Sequence, residues 1–404
     1  MRILWLSYYY LPHVGGGTWV PYYLSKILAS RGHKIQLIVP NVFFGLAVPL
    51  SVAKRMERSN PSQVSRVSRV PIPRVLGPLV AIFPMFFAGL KYGREADVIV
   101  SQFHPHHLLT PAAVLLAKIL RIPLVIRACD IYKEMVVTKP GIGARLSKIV
   151  NLVNEFFIRY ANVFLVPDLN DKKILLSRIR GTCPNCYVGL NNNGVDLDSF
   201  RDLPTKEEAR NALKIDGNQK ILLFIGRFSG AEYGIAILLK AFPIVRQERS
   251  DAVLFLIGDE LPSALQVLVD SLGIRDSVRV YGPMLHTDVV KFIVAADVCV
   301  GPLMATQANP LKIMEYMICR KPIVTGRNSI NASLSPATNF FVVDPEPVAV
   351  SEVLLRVLND TDYAESLVSN ALKTVNKFSW ERVAVDLGRV LSDTVEHYHE
   401  RLAV

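Results

Sequence analysis

Apolar residues in the first half of the chain fall into two alternating textures. Runs of strand length, RILWLS (2–7), KIQLIVP (34–40), DVIVS (97–101), IPLVIRA (122–128) and NVFLVP (162–167), are apolar almost throughout. Between them the spacing changes to threes and fours. Residues 18–31 set Val20, Tyr23, Leu24, Ile27 and Leu28 on one face and stop at Gly32, and PAAVLLAKIL (111–120) and a segment near 145–160 read the same way. Near-continuous apolar strands joined by helices predict a parallel sheet covered on both faces.

After NNNGVDLDSF (191–200) the chain turns polar, and DLPTKEEARNALK reads as a capped amphipathic helix, which puts a domain boundary near residue 203. The alternation then restarts. KILLFIG (220–226), AVLFLIG (252–258), VRVYG (278–282), DVCVG (297–301), PIVTG (322–326) and FFVVD (340–344) are the strands, with helices expected over 234–248, 261–272 and 287–295. In ANPLKIMEYMICRKPIVTG (308–326) a further helix opens at Pro310, with Lys312, Glu315 and Tyr316 expected on one face and Leu311, Met314, Met317 and Ile318 on the other. A long helix closes the chain. The expectation is α/β, with Rossmann-like domains over 1–203 and 204–380 and a terminal helix over 381–404.

Composition narrows the classes of function. A chain of 404 residues, half of it hydrophobic, can bury two cores. Its net charge of +11 suits a nucleic acid, an anionic membrane or a phosphorylated ligand. No nucleic-acid-binding signature is present, so a nucleic-acid partner is not expected. VLGPLVAIFPMFFAGL (75–90) is uncharged but too short to span a bilayer, and Lys54, Arg55, Arg58, Arg66, Arg69 and Arg74 precede it. It reads either as a wedge lying on an anionic leaflet or as a buried helix before the strand at 98–100. The N-terminus lacks the pattern of a signal peptide, so a cytosolic protein is expected. Of five cysteines, Cys129, Cys183, Cys186, Cys299 and Cys319, only the CPNC pair is close, and without a second pair it reads as a surface loop rather than a zinc site.

Candidate chemistry gathers where strands end, the place at which doubly wound sheets bind ligands. HVGGGTW sets Gly15, Gly16 and Gly17 before a helix, where bare backbone N–H groups can meet phosphate or sugar oxygens. FIGRFSG puts Arg227 directly after a strand, where a guanidinium can fork onto a diphosphate. Gly258 and Asp259 end another strand. Lys312 in a first helical turn favours an anion, and Glu315 one turn on can accept both hydroxyls of a ribose, so together they match a nucleoside diphosphate lying across a helix start. His104, His106 and His107 follow a strand. Asp196–Asp198 and the Asp360–Asp362 stretch mimic a metal motif but sit in a connection and at a helix cap, so no metal is expected.

The motifs NGVDLDSF, FIGRFSGAEYG, IGDE, VRVYGPMLHTDVVKFIVAADVCVGPL and NPLKIMEYMICRKPIVTG, in that order and spacing, resemble the retaining glycosyltransferases of family 4 with the GT-B fold. The resemblance implies two Rossmann-like domains facing across a cleft, an acceptor-binding N-terminal domain, a nucleotide-sugar-binding C-terminal domain, and a last helix crossing back to the first. It implies that Arg227, Lys312 and Asp130 serve catalysis. Donor contacts would come from Gly16, Gly17, Arg227, Tyr233, Gly258, Asp259, Gln307, Asn309, Pro310, Leu311, Lys312 and Glu315, and acceptor contacts from His104, His106 and Cys129. No cofactor or metal would be needed beyond a UDP- or GDP-sugar. The family's lysine, glutamate and histidine are replaced here by Tyr233, Gln307 and Cys129. The expected reaction is retaining transfer of a hexose or N-acetylhexosamine to a lipid-linked or polysaccharide acceptor, by a cytoplasmic protein peripheral on the inner face of the cell membrane. The alternatives are a catalytically silent relative that binds a partner or glycan, and a nucleotide-sugar epimerase.

Overall fold

The structure is a computed structural model that describes residues 1–13, 16–41, 49–67, 81–104, 107–128, 142–179, 186–228, 234–282, 284, 286–304, 311–327, 330 and 332–403. The chain forms two compact units. One comprises residues 1–194 and 380–404, the other 195–379.

The first unit holds seven parallel strands, β1 (Arg2–Leu6), β2 (Lys34–Pro40), β3 (Gln63–Val67), β4 (Val98–Phe103), β5 (Leu124–Ala128), β6 (Val163–Val166) and β7 (Tyr187–Leu190). They lie in the order β3-β2-β1-β4-β5-β6-β7, so the winding direction reverses between β1 and β4. Strands β3 and β7 are edge strands that the apolar pattern does not announce. QVSRV is polar and YVGL short, because an edge strand needs only one covered face.

The second unit holds six parallel strands, β8 (Lys220–Gly226), β9 (Ala252–Gly258), β10 (Val278–Tyr281), β11 (Val298–Val300), β12 (Ile323–Gly326) and β13 (Phe341–Val343), in the order β10-β9-β8-β11-β12-β13. Alternate residues along each strand serve separate cores. Ile221, Leu223, Val253, Phe255, Cys299 and Ile323 fill one, while Leu222, Phe224, Leu254, Leu256, Val298, Val300 and Val324 fill the other, as the two-residue period of a strand requires. The winding reverses between β8 and β11.

The break between units falls at Gly194/Val195 and Ser379/Trp380, ahead of residue 203. Val195 donates to the Phe378 carbonyl at 2.8 Å, which ties 195–203 to the second unit. The last helix, Trp380–Ala403, packs on helix Gly16–Ser30 within the first unit. There Trp380 stacks on Tyr23 (5.4 Å, 11°), and a side chain at Gly194 would come within 2.7 Å of the Trp380 ring.

The described part of the 75–90 stretch is a helix with one buried face, as one of the two readings required, and one exposed apolar face. In helix Ile82–Tyr92, Ile82, Met85 and Gly89 are buried, with Gly89 letting Leu116 of helix Leu109–Leu120 press close, while Phe83 and Phe87 stand exposed. Phe86 turns partly into the core. Of the upstream cations, Arg66 is turned to Glu57 and to the Leu11 carbonyl, while Arg69 and Arg74 lie outside the described residues. The described thiols Cys299 and Cys319 are buried and free, and burial pushes the Cys319 thiol up to about 12.

Candidate active site

The site is built from a shortage of partners at the end of β8. The ladder to β11 stops at Val300↔Phe224, so Ile225 and Gly226 project past it with backbone groups that need satisfying. Helix Leu311–Ile318 supplies them. The Ile225 N–H donates to the Tyr316 hydroxyl at 3.1 Å, and Lys312 Nζ donates to the Ile225 carbonyl. The same ammonium lies 4.5 Å over the Phe224 ring, a favourable cation–π placement. Lys312 is therefore pinned at the topological switch point of this sheet before any ligand arrives.

Two glycines clear the floor around it. Gly226 has φ +149°, and a Cβ there would run into the Lys312 ammonium. Gly258 is its partner in the β8–β9 ladder, and a Cβ on it would collide with the Gly226 carbonyl. Both strand ends thus stay bare of side chains beside a fixed positive charge. Arg227 follows, exposed, and Phe228 is buried with its N–H donating to Asp259 Oδ1 at 2.7 Å. The Asp259 carboxylate holds the turn that carries Arg227.

On helix Leu311–Ile318 the buried positions are Ile313, Met314, Tyr316 and Met317, leaving Leu311, Lys312, Glu315 and Ile318 half-buried. Lys312 and Glu315 share the open side as expected. Tyr316 does not: it is fully buried, and burial drives its phenol pKa far upward, so it is a neutral hydrogen-bonding post. Helical spacing alone could not place it, because the stranded amide it serves belongs to another element.

A cavity of about 440 Å³ runs from Asp259, Glu260 and Leu261 to Arg275 and Val278. It runs beside β10, with Val278, Val280 and Gly282 along one wall, at the sheet edge rather than over the switch point.

The first unit has its own switch point, where aromatic and imidazole rings collect beyond β1 and β4. Tyr8 stacks on His107 (3.7 Å, 18°), His107 Nε2 shares a hydrogen bond with the Tyr9 hydroxyl at 3.0 Å, and His104 stacks on His107 at 4.7 Å. Beneath them Ser7 donates to Gln102 Oε1, and Gln102 donates to the Gly17 carbonyl at 2.8 Å, joining the glycine turn to β4. The buried Tyr8 hydroxyl finds no hydrogen-bond partner among the described residues, and burial raises its pKa. At the end of β5 the buried Arg127 reaches Asn191 Oδ1 (2.7 Å) and Asn193 Oδ1 (3.1 Å), bracing the strand that leads to Cys129 and Asp130.

Sequence reasoning picked out His107 after its strand but missed Tyr8, Tyr9 and Arg127 as site neighbours. The only sequence signal was their position at strand ends. Cys129, Asp130, His106, Tyr233, Gln307, Asn309 and Pro310 lie outside the described residues, and Gly16 opens helix Gly16–Ser30. Among the described residues no three His, Cys, Asp or Glu side chains gather as a metal site.

Residues 205–374 match the family described as Glycosyl transferases group 1. A D-inositol 3-phosphate glycosyltransferase of Thermobispora bispora is 27% identical over 225 residues, 53% of this chain and 52% of that protein. The chain spans about half the length of the first curated relatives it matches. Sucrose-phosphate synthase from Thermosynechococcus elongatus superposes with a TM-score of 0.73 at 19% identity, covering 97% of this chain and 98% of that one. Anabaena HepE, solved in complex with UDP and glucose, gives 0.72 at 18% identity, covering 97% and 100%. Residues 205–374 thus match the glycosyl transferases group 1 family, in a chain whose two Rossmann-like units have the GT-B fold.

Proposed function

We propose that the chain is a retaining glycosyltransferase that moves a hexose or N-acetylhexosamine from a UDP- or GDP-sugar to a lipid-linked or polysaccharide acceptor at the cytosolic face of a membrane. The observation that carries this reading is the Lys312 ammonium clamped on the Ile225 carbonyl over a floor cleared by Gly226 and Gly258. A fixed cation at a helix start, beside bare backbone, is what a departing nucleoside diphosphate needs, because its charge develops where the protein's charge already stands. Arg227 grips the diphosphate, Glu315 holds the ribose diol, and Tyr233, Gln307, Asn309, Pro310 and Leu311 complete the donor contacts. Gly16 and Gly17 meet the diphosphate through backbone N–H groups, and His104, His106, Cys129 and Asp130 face the acceptor and the transferred sugar. No metal takes part: a donor phosphate oxygen accepts the acceptor's proton as the sugar leaves, so the configuration is retained. Solved complexes of the similarly folded HepE with UDP and with UDP-glucose support the choice of donor class.

The test is a thermal-shift panel with UDP, GDP, ADP and their sugar conjugates on wild type and Glu315→Ala. A stabilising shift with one nucleotide family, weakened in the variant by about 1–3 kcal/mol of binding, supports the ribose grip. Equal shifts in both proteins remove Glu315 from the site. No shift with any nucleotide overturns the donor reading in favour of a silent, partner-binding relative.

A further inference from the structure

Outside both switch points, the first unit presents a surface that the donor chemistry leaves unused. Helices Ile82–Tyr92, Leu109–Leu120 and Ile142–Ile158 pack side by side, the first against the second through Gly89 and Leu116. Their outward positions repeat at helical spacing and are large and apolar: Phe83 and Phe87 (67% and 65% exposed), Leu115 and Ile119 (47% and 58%), and Leu152 and Phe156 (64% and 47%). The inward positions Met85, Leu116 and Ile158 fill the core, so these helices are apolar on both sides. Singly exposed apolar residues are ordinary, but three adjacent helices each exposing an i, i+4 pair form a patch that soluble surfaces rarely carry.

The same helices carry cationic residues beside the apolar ones. Lys91, Arg94, Lys118, Arg121 and Lys148 are exposed and Arg159 half-buried, against Glu95 and Glu155 as the acidic residues of the same stretches. Lys118 Nζ lies 4.1 Å over the Tyr160 ring and the Arg159 guanidinium 4.5 Å over Phe156. Exposed apolar rings and chains interleaved with cationic heads match an interface that is greasy inside and anionic at its surface. No helix among the described residues is long and apolar enough to cross a membrane.

We propose that this three-helix face seats the first unit on an anionic phospholipid bilayer, with Phe83, Phe87, Leu152 and Phe156 entering the acyl boundary and the Lys and Arg residues among them meeting headgroup phosphates. The proposal deepens the membrane-face reading above and rests on it, while requiring nothing of the donor. It differs from the apolar stretch anticipated in the sequence, since two of the three helices lie beyond residue 90.

The experiment uses the full chain and co-sedimentation with vesicles of phosphatidylcholine alone or of equal amounts of phosphatidylcholine and phosphatidylglycerol. Wild type should bind the anionic vesicles and lose them as salt rises. Phe83→Ser with Phe87→Ser, and separately Leu152→Ser with Phe156→Ser, should each weaken partitioning by about ten-fold or more. Lys91→Ala and Lys118→Ala should cost about five-fold each. Nucleotide thermal shift, run on every variant, reports folding and donor binding separately. Vesicle binding unchanged in both serine pairs overturns the face but leaves a membrane-bound protein. Absence of vesicle binding by a wild type that still binds nucleotide overturns the face and leaves the donor reading intact. Vesicle binding without any nucleotide shift supports the face and sinks the donor reading. A wild-type dimer in solution that the serine pairs convert to monomer, with no vesicle binding, assigns the face to a second copy and overturns the lipid.

Discussion

At the scale of single residues, the candidate site depends partly on groups buried beneath it. Tyr316→Phe removes only a hydroxyl, yet it strands the Ile225 N–H, and an unsatisfied buried donor costs about 1–3 kcal/mol. Chemical denaturation should show that loss, and a variant as stable as wild type would mean the amide finds another partner. Gly258→Ala forces a Cβ against the Gly226 carbonyl, so a loss of about 1–3 kcal/mol or more is expected in the same assay. Lys312→Ala should lower kcat by about 100-fold or more if the ammonium stabilises the leaving diphosphate, with steady-state kinetics as the check. Lys312, Glu315 and Arg227 were legible in the sequence because charge at a helix start or strand end is conspicuous among apolar neighbours. Tyr316 was not: a tyrosine among leucines and methionines reads as amphipathic, and its partner is a backbone group 91 positions away.

Elements were legible in proportion to their burial. Strands β8 and β9, covered on both faces, spell themselves out in seven nearly continuous apolar residues each, and the parallel order follows from the helices between them. Edge strands β3 and β7 and the polar helix Leu169–Ile179 escaped, since an element with one face in water need not be apolar. The terminal helix was visible from its apolar period, and its anchoring shows in Trp380, 2% exposed against Tyr23 and Gly194. Trp380→Ala should cost about 3–5 kcal/mol, read as a lower melting temperature and faster proteolysis of the first unit. Unchanged stability would show the helix to be held by its other buried residues, Val383, Leu387 and Leu391.

Across the whole molecule, acid should be a specific stress. His33, next to the terminal helix at Gly388, has its pKa held below the usual imidazole value, first by burial and then by the N-terminal ammonium. The unfolded chain takes up this proton before the folded one does, so the contribution is full above about pH 6.5 and is lost as pH falls through it. Melting temperatures recorded downward from pH 7.5 should therefore drop less steeply in His33→Gln, and parallel curves would assign the acid sensitivity elsewhere. The same helix has a consequence in time. Because the first unit is closed by residues 380–403, a ribosome must finish the entire second unit before the first can be completed. The N-terminal sheet emerges first but waits for its last helix, with the surface around Tyr23 and Leu28 uncovered meanwhile. Truncation after Ser379 would thus leave the sequence of the second unit whole and damage the unit that emerges before it.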